Sequence, residues 1–579
     1  LGEVMHKVAF IALIVLTLAG LAVASYIWVS RLVNSIYGYT SPLKGAPPLT
    51  EDSSRPLTSQ VVLVVVDGLR YDASLQMPHL NALRKDGAHA ALTLHSASSS
   101  QTAWTALISG ASPEINGAPL FDAPYEGIRP ITVDTLFTAI NRAGLTGGIA
   151  GYYAWEKLVS QELLYTKYYA PRQDDTADRA VVDRALVFLK EFQPNFLLVH
   201  LVQINTAGQV YGAASSQYRE AVLHTDELIH TVATNMNLSR SVLIVVSSYG
   251  QLDQGGHGGD EAVLLSTPFI MVGENVLTGD YKTIDQTDLA PTVAALLGTP
   301  TPNAAQGRAR LDMLHTDRVE KAERLVAVAS QRVRVGNIYL YSIGKGALSE
   351  TAEGDMQVAR SSLQVKNYQS AAELATLSIE QTDRETMQAR RARIWKERSQ
   401  RMSPFALAVL ILLWALWHWR GWRAAWTLLA AIVAGAGYHA LALQQGDIYS
   451  FSRIPSGGLG STLNPSIVRA SIALAGGALI IIWRTWRERE RTILAVLWRI
   501  YAYAILLVYL IGLAVSACAV WNGLRFTWYL PNLKVAYIHF ATLMQLMITA
   551  ALAILLPIPA VALQRIVLAI SDRYRKREK

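Results

Sequence analysis

Apolar positions along the chain fall into two textures. Residues 8–28 (VAFIALIVLTLAGLAVASYIW) carry no charge and are long enough to cross a bilayer. A secretory signal peptide is the competing reading, but no convincing small-residue cleavage site follows, so a retained anchor is expected. After Met402 long apolar stretches return, at about 403–419, 424–443, 466–483, 495–521 and 535–563, giving about six spans in all. Between these regions the texture is different. Short apolar runs alternate with helical periodicity: VVLVVV (61–66), TGGIAGY (146–152), NFLLVHLV (195–202), SVLIVVS (241–247) and TPFIMVG (267–273) read as strands, and 78–87, 132–143, 176–192, 216–236 and 287–297 as helices. The alternation predicts an α/β fold, a parallel sheet with helices on both faces.

The chain then divides into a stub and anchor (1–29), a Pro-, Ser- and Thr-rich linker (30–60), an α/β domain (61–315), a helical extension (316–402), five further spans (403–563) and a basic tail (564–579). Charge orients the spans. The segments HWRGWR, RTWRERERT and RYRKREK hold eleven Lys and Arg, whereas the alternate loops, 444–465 and 522–534, hold only Arg453, Arg525 and Lys534. The positive-inside rule puts both termini in the cytoplasm and the large domain outside. The basic stretch 384–401 opposes this, as a helix on lipid headgroups or a solvated face, but large translocated domains weigh less in the rule.

Composition adds little. The formal charge of +8 sits largely in the basic loops and tail, so no nucleic-acid partner is implied. Cys518 is the only cysteine, which excludes a disulfide framework or a Cys-based metal site. Within the spans, Arg469 and Arg499 lie near ends where snorkelling suffices, and His439 and His539 read as hydrogen-bonded between helices. The tryptophans 414–426 suit an interfacial belt.

In an open α/β sheet, functional groups gather beyond the carboxyl ends of the strands. Asp67 follows the first strand in VVVDGLRYD and suits either a hard metal or a helix cap. The hydroxyl-rich loop 96–117 (SASSSQTAWTALISGASPEING) offers Ser100 or Thr102 as a nucleophile, although such residues also serve simply as caps. His200 reads as a core histidine inside its strand. Asp72, His95, Asp226, Asp253, Asp260 and Glu261 are further ionisable candidates. The last three include the neighbours of His257, where a relocated metal site is one reading and solvated loop acids the other.

Taken in order, strand-Asp-Gly, the Ser/Thr loop running into Trp104-Thr105 and on to Gly110, Pro113-Glu114 and Gly117, then NTAGQ (205–209), SYG (248–250) and HGG (257–259), resemble the alkaline phosphatase superfamily. The branch is similar to type I phosphodiesterases, including the GPI ethanolamine phosphate transferases, over roughly residues 35–315. The resemblance implies an α/β/α sandwich ectodomain and a pair of divalent ions that clamp a phosphate while a Ser or Thr attacks. It implies Ser100 at the nucleophile position, with Thr102 as the fallback. One ion would take Asp67 with the Asp and His of a D-H-G motif; the other would take the Asp and His of D-x-x-G-H with His257. Here those four ligand positions hold Ser248, Tyr249, Asn205 and Gln209. Amides and hydroxyls are weak ligands at neutral pH, and one strong ligand per ion falls short of the usual three or more.

The expectation is therefore a membrane-anchored relative that works by binding, scaffolding or complex assembly, with no cofactor, and with the lipid bilayer, membrane-complex subunits or a lipid or glycan headgroup as partners. The alternative is an active membrane phosphodiesterase or phosphoethanolamine-type transferase on a lipid-linked substrate, using one or two divalent ions (Zn or Mn) in an altered site.

Overall fold

The computed structural model describes residues 2–43, 54–95, 98–419, 421–454 and 459–577. Parts of the expected linker (44–53), hydroxyl-rich loop (96–97), turn after the second span (420) and basic tail (578–579) lie outside them. The chain forms two compact units. One comprises Ile36–Ile394 with Thr527–Leu530, the other Leu1–Ser35, Trp395–Phe526 and Pro531–Lys579.

In the first unit the strands are β1 (Gln60–Val66), β2 (Ala88–Thr93), β3 (Gly147–Tyr152), β4 (Thr166–Ala170), β5 (Phe196–Leu201), β6 (Ser241–Ser247), β7 (Ser266–Gly273) and β8 (Gly279–Asp285). They form one sheet in the order β4-β3-β5-β1-β6-β7-β2-β8. Strand β1 shows why its sequence is apolar throughout rather than alternating. Val61, Leu63 and Val65 enter the core on one face of the sheet, Val62, Val64 and Val66 the core on the other. Burying each such side chain contributes roughly 1.5–3 kcal/mol.

The sheet is mixed, not parallel as the alternation predicted. Strand β7 runs antiparallel to both β6 and β2, while the remaining pairs are parallel. A parallel neighbour needs a crossover, usually a helix. Between β6 and β7 the chain has only a Gly-rich loop and the four-residue helix Ala262–Leu265, so it folds back beside the strand it left. A second difference matters for function. The segment after β5, not among the helices named from the sequence, is the helix Gln203–Tyr211. The expected extension is helical, with Arg318–Ser342 and Glu350–Gln364 followed by the helix Tyr368–His418. In the basic stretch, Arg390 is turned inward and holds Glu114 through two hydrogen bonds of 2.6 Å.

The second unit contains helices long and apolar enough to cross a membrane, and with the N-terminal one six candidate spans are found among the described residues. The last expected span, 535–563, is two helices: Leu533–Leu555 ends before Pro557, which opens Pro557–Arg577. Proline has no N–H to continue the ladder and fits the first turn of a new helix. Arg499 is paired with Glu488 at 2.6 Å. His439 bonds Tyr449 of the following loop, at 2.7 Å, rather than another helix. His539 is fully buried with no hydrogen-bond partner on either ring nitrogen among the described residues, and it meets Trp28 edge to face at 5.6 Å. The interhelical bond expected for it is replaced by an aromatic contact.

Candidate functional site

Three neighbouring strands deliver the site. In register, Val66 of β1 lies beside Leu201 of β5 and Ser247 of β6, so the residues that follow these strands emerge together. They are Asp67, the helix carrying Asn205 and Gln209, and the Ser248–Tyr249 pair. Gly68 makes the close approach possible. Its φ is +81°, and a Cβ there would lie 2.8 Å from the Cα of Asn205.

Asp67 is buried and fully engaged. Its Oδ1 accepts from the Trp104 indole at 2.8 Å and from the Ser248 hydroxyl, and its Oδ2 accepts from Tyr249 at 3.2 Å. His200 Nε2 lies 3.2 Å from Oδ1, within ion-pair range although off the line of a hydrogen bond. Burial works to raise the Asp67 pKa, but the electrostatic pull of the adjacent His200 ring and the bonds from Ser248 and Trp104 outweigh it and hold the carboxyl below its usual value. His200 is thus a core residue with a specific partner. It is also boxed by aromatic rings, edge-on to Trp104 at 4.8 Å and to Trp155 at 5.8 Å.

Ser100 begins the helix Ser100–Ser109, and its Oγ lies 2.6 Å from the Tyr249 hydroxyl. The phenol carries one proton, donated to Asp67, so Ser100 donates to the phenol. Burial first, then the charges of Asp67 and Asp122, raise the Tyr249 pKa well above that of a free phenol. A neutral phenol is no base. Asp67, with its lowered pKa, is a poor final acceptor for the serine proton. The backbone amides of Ser100 and Gln101 donate to Asp122 at 3.1 and 2.8 Å. A carboxylate of the chain thereby takes the place at this helix start where an anionic substrate would be held. Thr102 is fully buried and bonded to Ser99 at 2.5 Å and to the Pro119 carbonyl, so of the two hydroxyls Ser100 is the one facing the cleft residues.

The other side of the cleft is closed by amides. Asn205 Oδ1 accepts from Gln251 Nε2 at 2.7 Å, and Gly208 allows that packing, since a Cβ there would lie 2.5 Å from Gln251 Cγ. His257 stacks on Tyr249 with ring centres 4.3 Å apart. Its Nδ1–H donates to the Ser98 carbonyl at 2.6 Å, and its Nε2 accepts from the Gln209 amide at 2.8 Å. Burial lowers the His257 pKa, against the opposing pull of Asp122, Ser98 and Asp67, which keeps the ring neutral. The lone pair a metal would need is already occupied.

These residues do not fit a pair of divalent ions. Asp67 already accepts from three donors, Tyr249 puts a neutral phenol between it and Ser100, and His257 spends its lone pair on Gln209. Among the described residues no group of three or more His, Cys, Asp or Glu is placed to hold a metal ion. Four of the remaining candidates have local duties. Asp226 accepts the backbone amides of His79 and Leu80, both at 2.9 Å; Asp72 and Asp253 share Arg70; His95 pairs with Asp285.

Sequence reading missed Gln251, Asp122 and Asp178. Asp178 is buried and accepts from the amides of Val202 and Gln203, capping the start of the helix that carries Asn205. Burial, only partly offset by those amides and by His200, pushes its pKa up to about 7. Acids spaced for capping, such as Asp122 just before the Ala-Pro of 123–124, give no distinctive local signal.

Residues 61–121 match the family described as type I phosphodiesterase / nucleotide pyrophosphatase. The chain is similar to GPI ethanolamine phosphate transferase 1 of Mus musculus, with 23% identity over 347 residues, covering 51% of this chain and 37% of that protein. It is also similar to the catalytic subunit of human GPI ethanolamine phosphate transferase 2, with 23% identity over 317 residues, covering 47% of this chain and 30% of that one. The chain thus spans about a third of the length of these curated relatives. Among solved structures, human ectonucleotide pyrophosphatase / phosphodiesterase 5 aligns at 15% identity with a TM-score of 0.39, over 44% of this chain and all of that one.

Proposed function

From its place in the alkaline phosphatase superfamily, as a multi-pass membrane protein with a type I phosphodiesterase domain and distant homology to the GPI ethanolamine phosphate transferases, we propose that this chain keeps the family cleft as a recognition or assembly element and has lost two-metal phosphoryl transfer. The observation that carries the reading is the chain of bonds Ser100–Tyr249–Asp67. Two-metal catalysis needs an ion on Asp67 touching the nucleophile, both to lower its pKa and to stabilise the entering oxygen. Here a neutral phenol bonds both residues and offers neither service.

The paired amides argue in the same direction. Asn205–Gln251 and Gln209–His257 pair amide and ring donors with acceptors without net charge, so no unpaired charge is left in the pocket. Such a cleft suits a neutral or hydroxyl-rich ligand, a glycan or a lipid headgroup, or a partner subunit within the membrane. We place the α/β unit outside the cytoplasm and both termini inside, from the eleven Lys and Arg of the three basic segments.

The test is turnover of a generic phosphodiester such as bis-p-nitrophenyl phosphate by purified full-length protein, with zinc or manganese supplied. The reading expects wild type and Ser100→Ala to be indistinguishable. Metal-dependent turnover that vanishes in Ser100→Ala would refute it.

A further inference from the structure

Glu114 belongs to the motif that follows Ser100, yet its side-chain bonds go elsewhere. Arg390 holds the carboxylate through two nitrogens, Nε and Nη2, each at 2.6 Å. The Tyr339 hydroxyl reaches Oε1 at 3.2 Å, and the Leu530 amide reaches Oε2 at 3.3 Å. The Glu114 side chain is only 12% exposed, and a two-pronged charged hold of this kind is among the strong hydrogen-bonded pairs. Tyr39 adds a second stitch, its hydroxyl lying 2.8 Å from the Glu114 carbonyl and 3.2 Å from that of Trp528. Arg393 covers the Trp528 ring at 4.2 Å.

Two of these partners share a property. Arg390 is carried by Tyr368–His418, a helix that farther along is a candidate span. Leu530 ends Thr527–Leu530, which lies between the candidate spans Ile493–Asn522 and Leu533–Leu555. The contacts themselves all fall inside the first unit. Glu114 is thus gripped by chain that runs on into apolar helices.

The other end of the same segment reaches the cleft. Residues 111–123 leave the end of the helix Ser100–Ser109 and return to its start, where Asp122 accepts the Ser100 and Gln101 amides. The path between is braced. Gln306 Oε1 accepts from the Ser112 amide at 2.9 Å and from its hydroxyl at 2.8 Å. Asn116 donates to the Ala111 carbonyl and accepts from the Ala118 amide, both at 2.8 Å. Thr102 donates to the Pro119 carbonyl, and Gln101 Nε2 to that of Ala123 at 2.9 Å. A segment braced at so many points passes a displacement on rather than absorbing it in free dihedrals.

We propose that 111–123 is a conformational strap, in which the grip on Glu114 sets the seat of Asp122 on the start of the Ser100 helix. With the grip closed, the Asp122 carboxylate supplies the negative charge that a helix start favours. A shift of the helix bearing Arg390, or of the 527–530 loop, loosens Asp122 and bares the two amides beside Ser100. The strap makes and breaks only hydrogen bonds, so it stands whether or not the cleft retains turnover.

Hydrogen exchange of full-length protein in detergent, read on peptides covering 98–103 and 527–531, tests this. Glu114→Gln should speed exchange of the Ser100 and Gln101 amides at least tenfold, while the amides of β1 and β6 keep their wild-type rates. Arg390→Lys keeps the charge but loses the two-pronged hold, and should act in the same direction by a smaller factor. Coupling between two sites is reciprocal, so Asp122→Asn should speed the Leu530 amide several-fold. Lys282→Gln breaks an exposed pair with Asp280 on β8 and should change neither peptide. If Glu114→Gln fails to fold, Tyr39→Phe removes the second stitch alone and should still speed the Ser100 and Gln101 amides. Unchanged rates at Ser100 and Gln101 in every folded variant of the grip, or an Asp122→Asn effect confined to the Ser100 helix, would overturn the proposal.

Discussion

The two halves of the cleft have the same ancestry by motif and opposite electrostatics. Around Asp67 the carboxylate survives, and four neighbours, His200, Trp104, Ser248 and Tyr249, supply the positive charge and donors that a cation would bring. Around His257 the charge itself is gone, and Gln209 with Asn205 and Gln251 form neutral pairs. A buried carboxylate without compensation is costly. One half solves this by surrounding the acid with partners, the other by replacing it with an amide. Stability should therefore depend on the first half far more than on the second.

The largest effect is expected where that compensation is broken. Asp67→Ala strands the donors of Trp104, Ser248 and Tyr249 beside His200 and should destabilise the α/β unit by about 3–5 kcal/mol, the range for breaking a buried charged pair. Thermal melting of full-length protein followed by intrinsic fluorescence measures it. A smaller but pH-signed effect is expected at Asp178. Its folded pKa of about 7 lies above the ordinary carboxyl value of 3.8. The folded state therefore binds the extra proton between these values, and stability falls as pH rises through that window and levels off above it. Asp178→Asn, which keeps an acceptor for Val202 and Gln203, should raise the melting temperature at pH 8 and leave it nearly unchanged at pH 4. Tyr249→Phe removes the hydroxyl's bonds to Asp67 and Ser100 while keeping the stack on His257, and should cost about 1–2 kcal/mol. Ser100→Ala removes one donor to that phenol and should cost less than about 1 kcal/mol, the smallest change of the set. If Gln209→Ala in the other half proved as damaging as Asp67→Ala, the contrast between the halves would fail.

The central strands were legible because burial on both faces leaves continuous apolar runs, as in VVLVVV and SVLIVVS. Strands β2 (AHAALT), β4 (TKYYA) and β8 (GDYKTID) were not. β4 and β8 form the sheet's edges, and the residues of β2 and β8 alternate in exposure, so none carries a long apolar run. The antiparallel placement of β7 depends on a loop path, which periodicity does not encode. In the cleft, Asp67, Ser100, His257 and the four altered positions were readable from motif order. Their partners were not, because Gln251, Asp122 and Asp178 meet the cleft only through tertiary packing, and His200 looks like any other residue of a buried strand.

The claim that a cleft of donor-bound and neutral side chains holds no pair of metal ions is tested most directly by metal content. Full-length protein is incubated with zinc or manganese, desalted and analysed by mass spectrometry of the elements, beside a variant combining Asn205→Asp, Gln209→His, Ser248→Asp and Tyr249→His. The account predicts no stoichiometric metal in the wild type and a clear gain in the variant. Two ions per wild-type chain, lost on Asp67→Ala or His257→Ala, would contradict it.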